Sequence, residues 1–398
     1  MLRIMMSYLQ AQKLVVEQAR SFGTETVPLE RAFGRVLTGS VRADRDYPPF
    51  PRATMDGYAM RYTDLEGGIR RFIVVETIMA GDQPLRRLGA GECYKIMTGA
   101  AVPAPADIVI RREDVEEGEG VIIPDDHPSR PYQNIARQGE DLLGGTLVID
   151  RPCLCEPSVI GLLATLGKTT VDVARVPGTG LLTTGNEVVA PGAIVGAVQI
   201  RNTNRWLLEA SLKKYGVEIN DWAHAPDDPR IQRQELERML EQEMLIISGG
   251  VSAGDADHIP AVLEAAGVRK LFHKVAVRPG KPVWVGVAPG GQLVFALPGN
   301  PFSCFVGTLM LIRPYLHACF GLPPLEPLGL PLGAARKKRS PLDEFFPALL
   351  QGSPARLMPI HTNTSGDIRL GMQANMLALH PADSGDLEAG ATVLCYPV

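Results

Sequence analysis

Carboxylates, cations and a glycine-rich turn recur at predicted strand ends in the second half of this sequence. They are the residues from which a site could be built. The segment Leu245 to Asp257 reads as a strand, a loop through Ser248, Gly249, Gly250 and Ser252, and then a helix start. Backbone N–H groups of such a loop, with a helix N-terminus behind it, can hold a phosphate or another oxyanion; a plain tight turn uses the same residues. Asp227-Asp228-Pro229 also follows a strand and precedes a helix, and Thr183-Thr-Gly-Asn-Glu187 ends a third strand. Glu187, Asp227 and Asp257 should therefore emerge on one edge, as oxygen ligands for a hard cation such as Mg. The competing role for Asp227, Asp228 and Asp257 is capping, with Pro229 at the first helical position.

Positive charge enters through Lys274-Val-Ala-Val-Arg278-Pro-Gly-Lys281. On one strand, Lys274 and Arg278 would face the same way. Such cations suit a phosphate or a tetrahedral dianion, or else form a solvated pair on an edge strand. Leu297-Pro-Gly-Asn-Pro301 places Pro298 and Pro301 around a rigid turn. In the first half, Asp56 and Thr98 stand beside glycines, from where they could close a site across a domain boundary or from a partner subunit. The histidines show no H-E-x-x-H or other metal spacing and the six cysteines no C-x-x-C pair, so zinc chemistry is not indicated and a reducing cytoplasm is the expected location. No G-x-S-x-G or Cys/His nucleophile context is present.

The elements that must position these residues alternate between strand and helix. Gly180 to Thr184, Val217 to Ala223 and Met244 to Ile247 read as strands; Asn204 to Tyr215, Pro229 to Gln242 and His258 to Ala266 read as helices. This alternation predicts a doubly wound, parallel-sheet α/β domain over 171–322, with ligands at the carboxyl ends of its strands. Short β-branched runs broken by Gly, Pro and Asp predict a β-rich domain over 43–142. Segments 1–42 and 143–170 are expected to form a small discontinuous helical domain, including a helix over Ser7 to Ala19 and a short one opened by Pro28 and running through Leu37. The basic run Arg336 to Arg339 follows four prolines and reads as a linker and a solvated surface turn, and 323–398 as a small β-barrel.

Composition bounds the function. At 398 residues the chain is long enough for several packed units. With 45% hydrophobic and 21% charged residues it reads as neither membrane protein nor disordered, and no unbroken apolar run of membrane length is evident. The net charge of −4 gives no broad basic surface of the kind nucleic-acid binding needs. An anionic ligand must be met by local cations.

Taken together, the motifs resemble one family, the molybdopterin molybdenumtransferases, known as MoeA in bacteria and as the E domain of gephyrin in animals. The resemblance rests on Asp46-Tyr-Pro-Pro-Phe50, Met55-Asp-Gly-Tyr-Ala59, Ile96 to Pro103, Ala106 to Ile110, Asn134-Ile135 and Gly139-Glu-Asp141. In the later block it rests on Thr184 to Val188, Ser248 to Ser252, Arg278 to Pro282 and Leu297 to Pro301. It implies insertion of molybdate into adenylylated molybdopterin with release of AMP, with Mg, by a homodimer whose site lies between the α/β domain of one subunit and the β-rich domain of the other. Carried across, the site residues are Asp56 and Thr98 from the β-rich domain, Glu187, Asp227, Asp257 and Lys274 from the α/β domain, and the loop residues Pro298 and Pro301. The family commonly has Asp where Asn186 stands and often Lys where Arg278 stands. A molybdopterin adenylyltransferase, sharing the α/β block, and a non-catalytic dimeric scaffold are the alternative readings.

Overall fold

The computed structural model of the chain describes residues 5–252, 257–367 and 373–398. The chain divides into two compact units, coarser than the four stretches expected: Met1–Thr38, Pro152–Gly161 and Thr169–Val398 form the first, Gly39–Arg151 and Leu162–Lys168 the second.

The first unit is organised by a six-stranded sheet in the order Ile219–Ala225, Thr179–Thr184, Met244–Ser248, Leu293–Leu297, Trp284–Val287, Arg269–His273. The first four strands are parallel, and Trp284–Val287 pairs antiparallel with both Leu293–Leu297 and Arg269–His273, so the sheet is mixed where a parallel one was expected. Met244–Ser248 is buried at every position, as an apolar central strand covered on both faces must be. Successive side chains go to opposite faces. Leu181, Met244, Ile246 and Phe295 pack with Leu208 and Leu212 of helix Asn204–Lys213 and with the helical run from Pro301, whereas Leu182, Leu245, Ile247 and Val294 pack with helices Pro229–Met239 and Ile259–Ala265. The helices therefore cover both faces and the strand ends stay open. Ile246 is fully buried, and Ile246→Ala should cost about 2–5 kcal/mol. All three tryptophans, Trp206, Trp222 and Trp284, lie in this unit, so urea unfolding followed by their emission measures that loss.

The helical run Pro301–Cys319 is long and apolar enough to cross a membrane by length and composition alone, although Ser303, Thr308, Arg313 and His317 break the apolar run, and 78% of that window is buried inside the protein. It is α-helical apart from a π-helical turn at Thr308–Ile312. Its apolar character serves the core of the unit.

The stretch from Pro28 to Leu37, expected as a helix, is a 3-10 turn at Leu29–Arg31 followed by strand Val36–Leu37. That strand joins Thr24–Pro28, Thr170–Ala174 and Cys153–Leu154 in a four-stranded antiparallel sheet, so the discontinuous N-terminal segment is built on strands as well as helices. The physical reason is β-branching: Val27, Val36, Val171 and Val173 present a buried face that pleated strands pack well.

The C-terminal region curls a sheet of Leu328–Pro331, Asp343–Gln351, Arg356–Pro359, Met376–His380 and Thr392–Pro397 around Phe346, Ala348, Leu357, Ala378 and Val393. A bridge between Leu332 and Leu357 joins its ends. Strand Val277–Arg278 pairs in parallel with Asp343 and Glu344 of this sheet, which takes Arg278 away from the α/β sheet.

The second unit is a six-stranded sheet in the order Ile108–Arg111, Gly57–Met60, Glu92–Ile96, Arg71–Ile78, Val121–Ile122, Glu116–Glu117. The Asp46 and Gly139 motifs form one knot beside it. Asp46 accepts from Gln138 Nε2 and from the Gly144 amide, both at 2.9 Å, and the Gly139 amide donates to the Pro48 carbonyl.

Candidate active site

At the carboxyl ends of the parallel strands, the first unit holds a cleft of about 1280 Å³. Glu187, Asp227, Ser248, Gly249, Gly250, Ser252, Asp257, Arg278, Lys281, Pro298 and Pro301 all line it; Lys274 does not. The expected pairing of Lys274 with Arg278 on one strand fails because the chain turns at Lys274, whose φ is +73°, and Arg278 belongs to the barrel sheet.

The glycine loop is shaped by close approach. Gly249 has φ +104°, and a Cβ there would lie 2.5 Å from Thr184 Oγ1 and 3.0 Å from the Thr184 carbonyl oxygen. Gly250 has φ +68°, with a Cβ meeting Ile259 at 2.8 Å. Two amides expected to hold an oxyanion are already committed: Gly249 N–H donates to Leu297 O (3.0 Å) and Ile259 N–H to Gly250 O (3.2 Å). Residues 253–256 of this loop lie outside the described residues.

Below the loop sits a polar frame that the sequence reading missed. Asn204 is buried, and its Nδ2 donates to Ser248 Oγ and to Gly299 O, both at 2.7 Å. A carbonyl only accepts, so the amide orientation is fixed, and one side chain ties two site loops together. Asn202 donates to Thr183 Oγ1 at 2.9 Å, Thr183 Oγ1 lies 3.0 Å from His224 Nδ1, and His224 Nε2 faces Gly185 O at 3.1 Å. In Asn202-Thr-Asn204 the only signal was polar residues opening a helix opposite the strand ends.

Asp228 caps its helix, accepting from the Arg230 amide at 2.8 Å, which leaves Asp227 to the cleft. Asp227 Oδ2 accepts from the Asn186 amide (3.2 Å), and Asn186 Oδ1 accepts from the Asp227 amide (3.1 Å). Asn186 thus fixes the Asp227 loop without adding a second carboxylate beside it. Asp257 does not occupy the N-cap position of its helix; His258 does, without a side-chain hydrogen bond. Although Glu187, Asp227 and Asp257 share the cleft, no three His, Cys, Asp or Glu side chains among the described residues converge as a metal group. The Glu187 carboxylate folds back over Gly185, where an added Cβ would meet it at 2.7 Å. The three-carboxylate cation site is therefore not preformed. Asp227 and Asp257 line the same cleft, and Mg chemistry needs no more than one or two carboxylates because that ion keeps waters and takes substrate phosphate oxygens.

The basic run read as a solvated turn is solvated only in part: Lys337 and Arg339 are exposed, Arg336 and Lys338 half-buried. Arg336 and Arg339 line the cleft. Arg336 is only 14% exposed, pairs with Glu344 at 2.8 Å and lies 4.3 Å over the Phe346 ring. Lys338 is tied to the carbonyls of Leu342, His380 and Pro381. The run packs because the strand Asp343–Gln351 carries a buried carboxylate, Glu344, that needs a partner.

Asp56 and Thr98 belong to the second unit, where they meet each other. Asp56 Oδ1 accepts from Thr98 Oγ1 at 2.6 Å and from the Thr98 amide at 2.7 Å. These bonds, the hydroxyl first, hold the Asp56 carboxyl below the usual carboxylate range. Thr98→Val removes the stronger donor, so the Asp56 titration, followed by carboxyl-carbon NMR, should move up in pH. A midpoint unchanged or lower contradicts the assignment.

Comparison with known proteins gives the chain relatives along nearly its whole length. Residues 6–167 match the family model "MoeA N-terminal region (domain I and II)" and residues 180–318 match "Probable molybdopterin binding domain". A molybdopterin molybdenumtransferase of Synechococcus elongatus is 34% identical over 98% of this chain and 99% of its own length. One from Staphylococcus aureus is 32% identical over 96% and 93%. A molybdopterin biosynthesis MoeA protein of Pyrococcus horikoshii has a solved structure that superposes with TM-score 0.74 at 30% identity, covering 99% of each chain. With its motifs, cleft and full-length relatives in agreement, the chain belongs to the MoeA family of molybdopterin molybdenumtransferases.

Proposed function

We propose that this protein is a molybdopterin molybdenumtransferase of molybdenum cofactor biosynthesis, inserting molybdate into adenylylated molybdopterin and releasing AMP. The observation that carries this reading is that carboxylates at the strand ends and the cations Arg278 and Lys281 line one and the same cleft. Molybdate and a phosphoanhydride are both anionic and need the cations. A divalent ion, for which Mg is the natural choice, would be held by Asp227 and Asp257 and would neutralise charge at the scissile phosphate. Arg278 and Lys281 take the role of holding molybdate; the carried-over role of Lys274 rests on the family resemblance alone. Pro298 and Pro301 fix the loop that Asn204 and Ser365 anchor, the latter by accepting from the Phe302 amide at 3.1 Å and from Asn300 Nδ2 at 2.7 Å. Glu187, exposed and lining the same cleft, helps position the cation or a water in this reading.

The working form in this reading is a cytoplasmic homodimer in which Asp56 and Thr98 of one protomer complete the cleft of the other. Co-assembling Asp56→Ala with Asp257→Ala chains should then recover about a quarter of full activity, since half the dimers would carry one intact site. No recovery in verified mixed dimers rejects the shared site.

The function itself is tested with purified protein, adenylylated molybdopterin and either molybdate or tungstate. AMP release that depends on the oxyanion is expected, with the metal retained on the pterin. Pyrophosphate release from ATP and free molybdopterin would instead mark an adenylyltransferase.

A further inference from the structure

The basic run at the start of the barrel has no place in the chemistry above, yet two of its four side chains line the cleft. Glu344 is the hub of this wall. Its side chain is 2% exposed, one oxygen pairs with Arg336 Nη2 at 2.8 Å, and the other accepts from the Arg339 amide at 2.9 Å. The Arg339 carbonyl in turn accepts from Arg278 Nη1 at 3.1 Å, and Arg278 stands opposite Glu344 in the strand register. Arg336 is held from a third side by His380, fully buried, whose Nδ1 faces Arg336 Nη1 while Nε2 donates to Gly385 O at 2.7 Å. Arg336 is thus neutralised by Glu344 and immobilised. The side chains of Arg278, Lys281 and Arg339 differ: among the described residues none of them forms an ion pair with a carboxylate, and the guanidinium bonds of Arg278 and Arg339 go to the carbonyls of Arg339 and Thr362. Three cationic side chains without an ion-pair partner lining one cleft suit an anion, and the Arg278 and Arg339 backbones are both tied to the strand that carries Glu344.

We propose that Arg339 acts with Arg278 to grip a tetrahedral dianion of the molybdate type, and that Glu344 is the positioning residue that aims both. This rests on the transferase reading of the cleft and extends it to residues of the barrel. Arg339 is solvent-exposed except for a bond from Nη1 to Thr362 O at 3.2 Å, so replacing it leaves the core untouched. Two anion sources share this chemistry, free molybdate and the phosphates of the nucleotide, and they separate on titration.

The test is equilibrium binding of molybdate alone and of AMP alone to the full chain, with melting curves to verify folding. Arg339→Ala and Arg278→Ala should each weaken molybdate by about ten- to a hundredfold, the worth of a charged hydrogen bond. AMP affinity should stay within about threefold, below the worth of one such bond, and Arg339→Lys should recover part of the loss. Glu344→Gln should weaken molybdate in the unsubstituted background but add little on top of the Arg339→Ala, Arg278→Ala double variant, a non-additivity that a merely structural role would not produce. Arg339→Ala binding molybdate as tightly as the unsubstituted protein overturns the proposal, as does loss of AMP instead of molybdate or absence of molybdate binding to the unsubstituted chain. Molybdate-dependent AMP release by the unsubstituted protein, measured alongside, shows whether the transferase reading stands when this one falls.

Discussion

Asp257→Asn should abolish AMP release from adenylylated molybdopterin while leaving the protein folded. Asp257 lines the cleft on the loop following strand Met244–Ser248, on the same strand-end edge as Asp227. Asparagine preserves size but removes the charge that would hold the divalent ion against the scissile phosphate. Loss of one electrostatic contribution aimed at developing charge costs about 10²–10³ in kcat. Loss of the ion with it makes the expected decrease at least about a thousandfold. The control is an unchanged urea midpoint by tryptophan emission. A folded Asp257→Asn chain with near-normal turnover would remove Asp257 from the chemistry.

The second large effect comes from a single methyl group. At Gly249 a Cβ would lie 2.5 Å from Thr184 Oγ1 and 3.0 Å from a backbone oxygen, in a conformation, φ +104°, that L side chains rarely adopt. Gly249→Ala must therefore move the loop away from strand Thr179–Thr184 and strain the backbone, costing about 1–3 kcal/mol. The same shift breaks the 3.0 Å bond from Gly249 N–H to Leu297 O and displaces Ser248, the partner of Asn204. Misplacing site groups by about 1 Å costs on the order of a hundredfold in rate. Activity should thus fall much further than stability. A variant that melts lower yet turns over normally would show that the loop only packs.

Much of the site was legible in the sequence because strand ends of an α/β sheet announce themselves. Each of Glu187, Asp227 and Asp257 was read at the end of a strand or on the loop after it, the last two just before a helix, and all three line one cleft. Alternation of elements cannot reveal strand direction, so the reversed strand Trp284–Val287 was not foreseen. Lys274 was misread because a left-handed turn inside Lys-Val-Ala-Val-Arg leaves no glycine or proline as a marker. Arg336 looked like a solvated charge because its buried partner, Glu344, lies within a strand otherwise rich in Phe, Ala and Leu. Long-range pairs of this kind are invisible to local pattern. Asn202 and Asn204 were missed for the same reason, since their partners are 19 and 44 residues or more away.

The most direct test of the central claim locates the anion. Crystals of the full chain soaked in tungstate, with data collected at the tungsten edge, give the position of the heavy atom without reference to any assumed chemistry. The account predicts an anomalous peak in the cleft that Asp227 and Asp257 line, within hydrogen-bond reach of Arg278 and Lys281. A tungsten site elsewhere on the molecule, with the cleft empty at saturating tungstate, would contradict it.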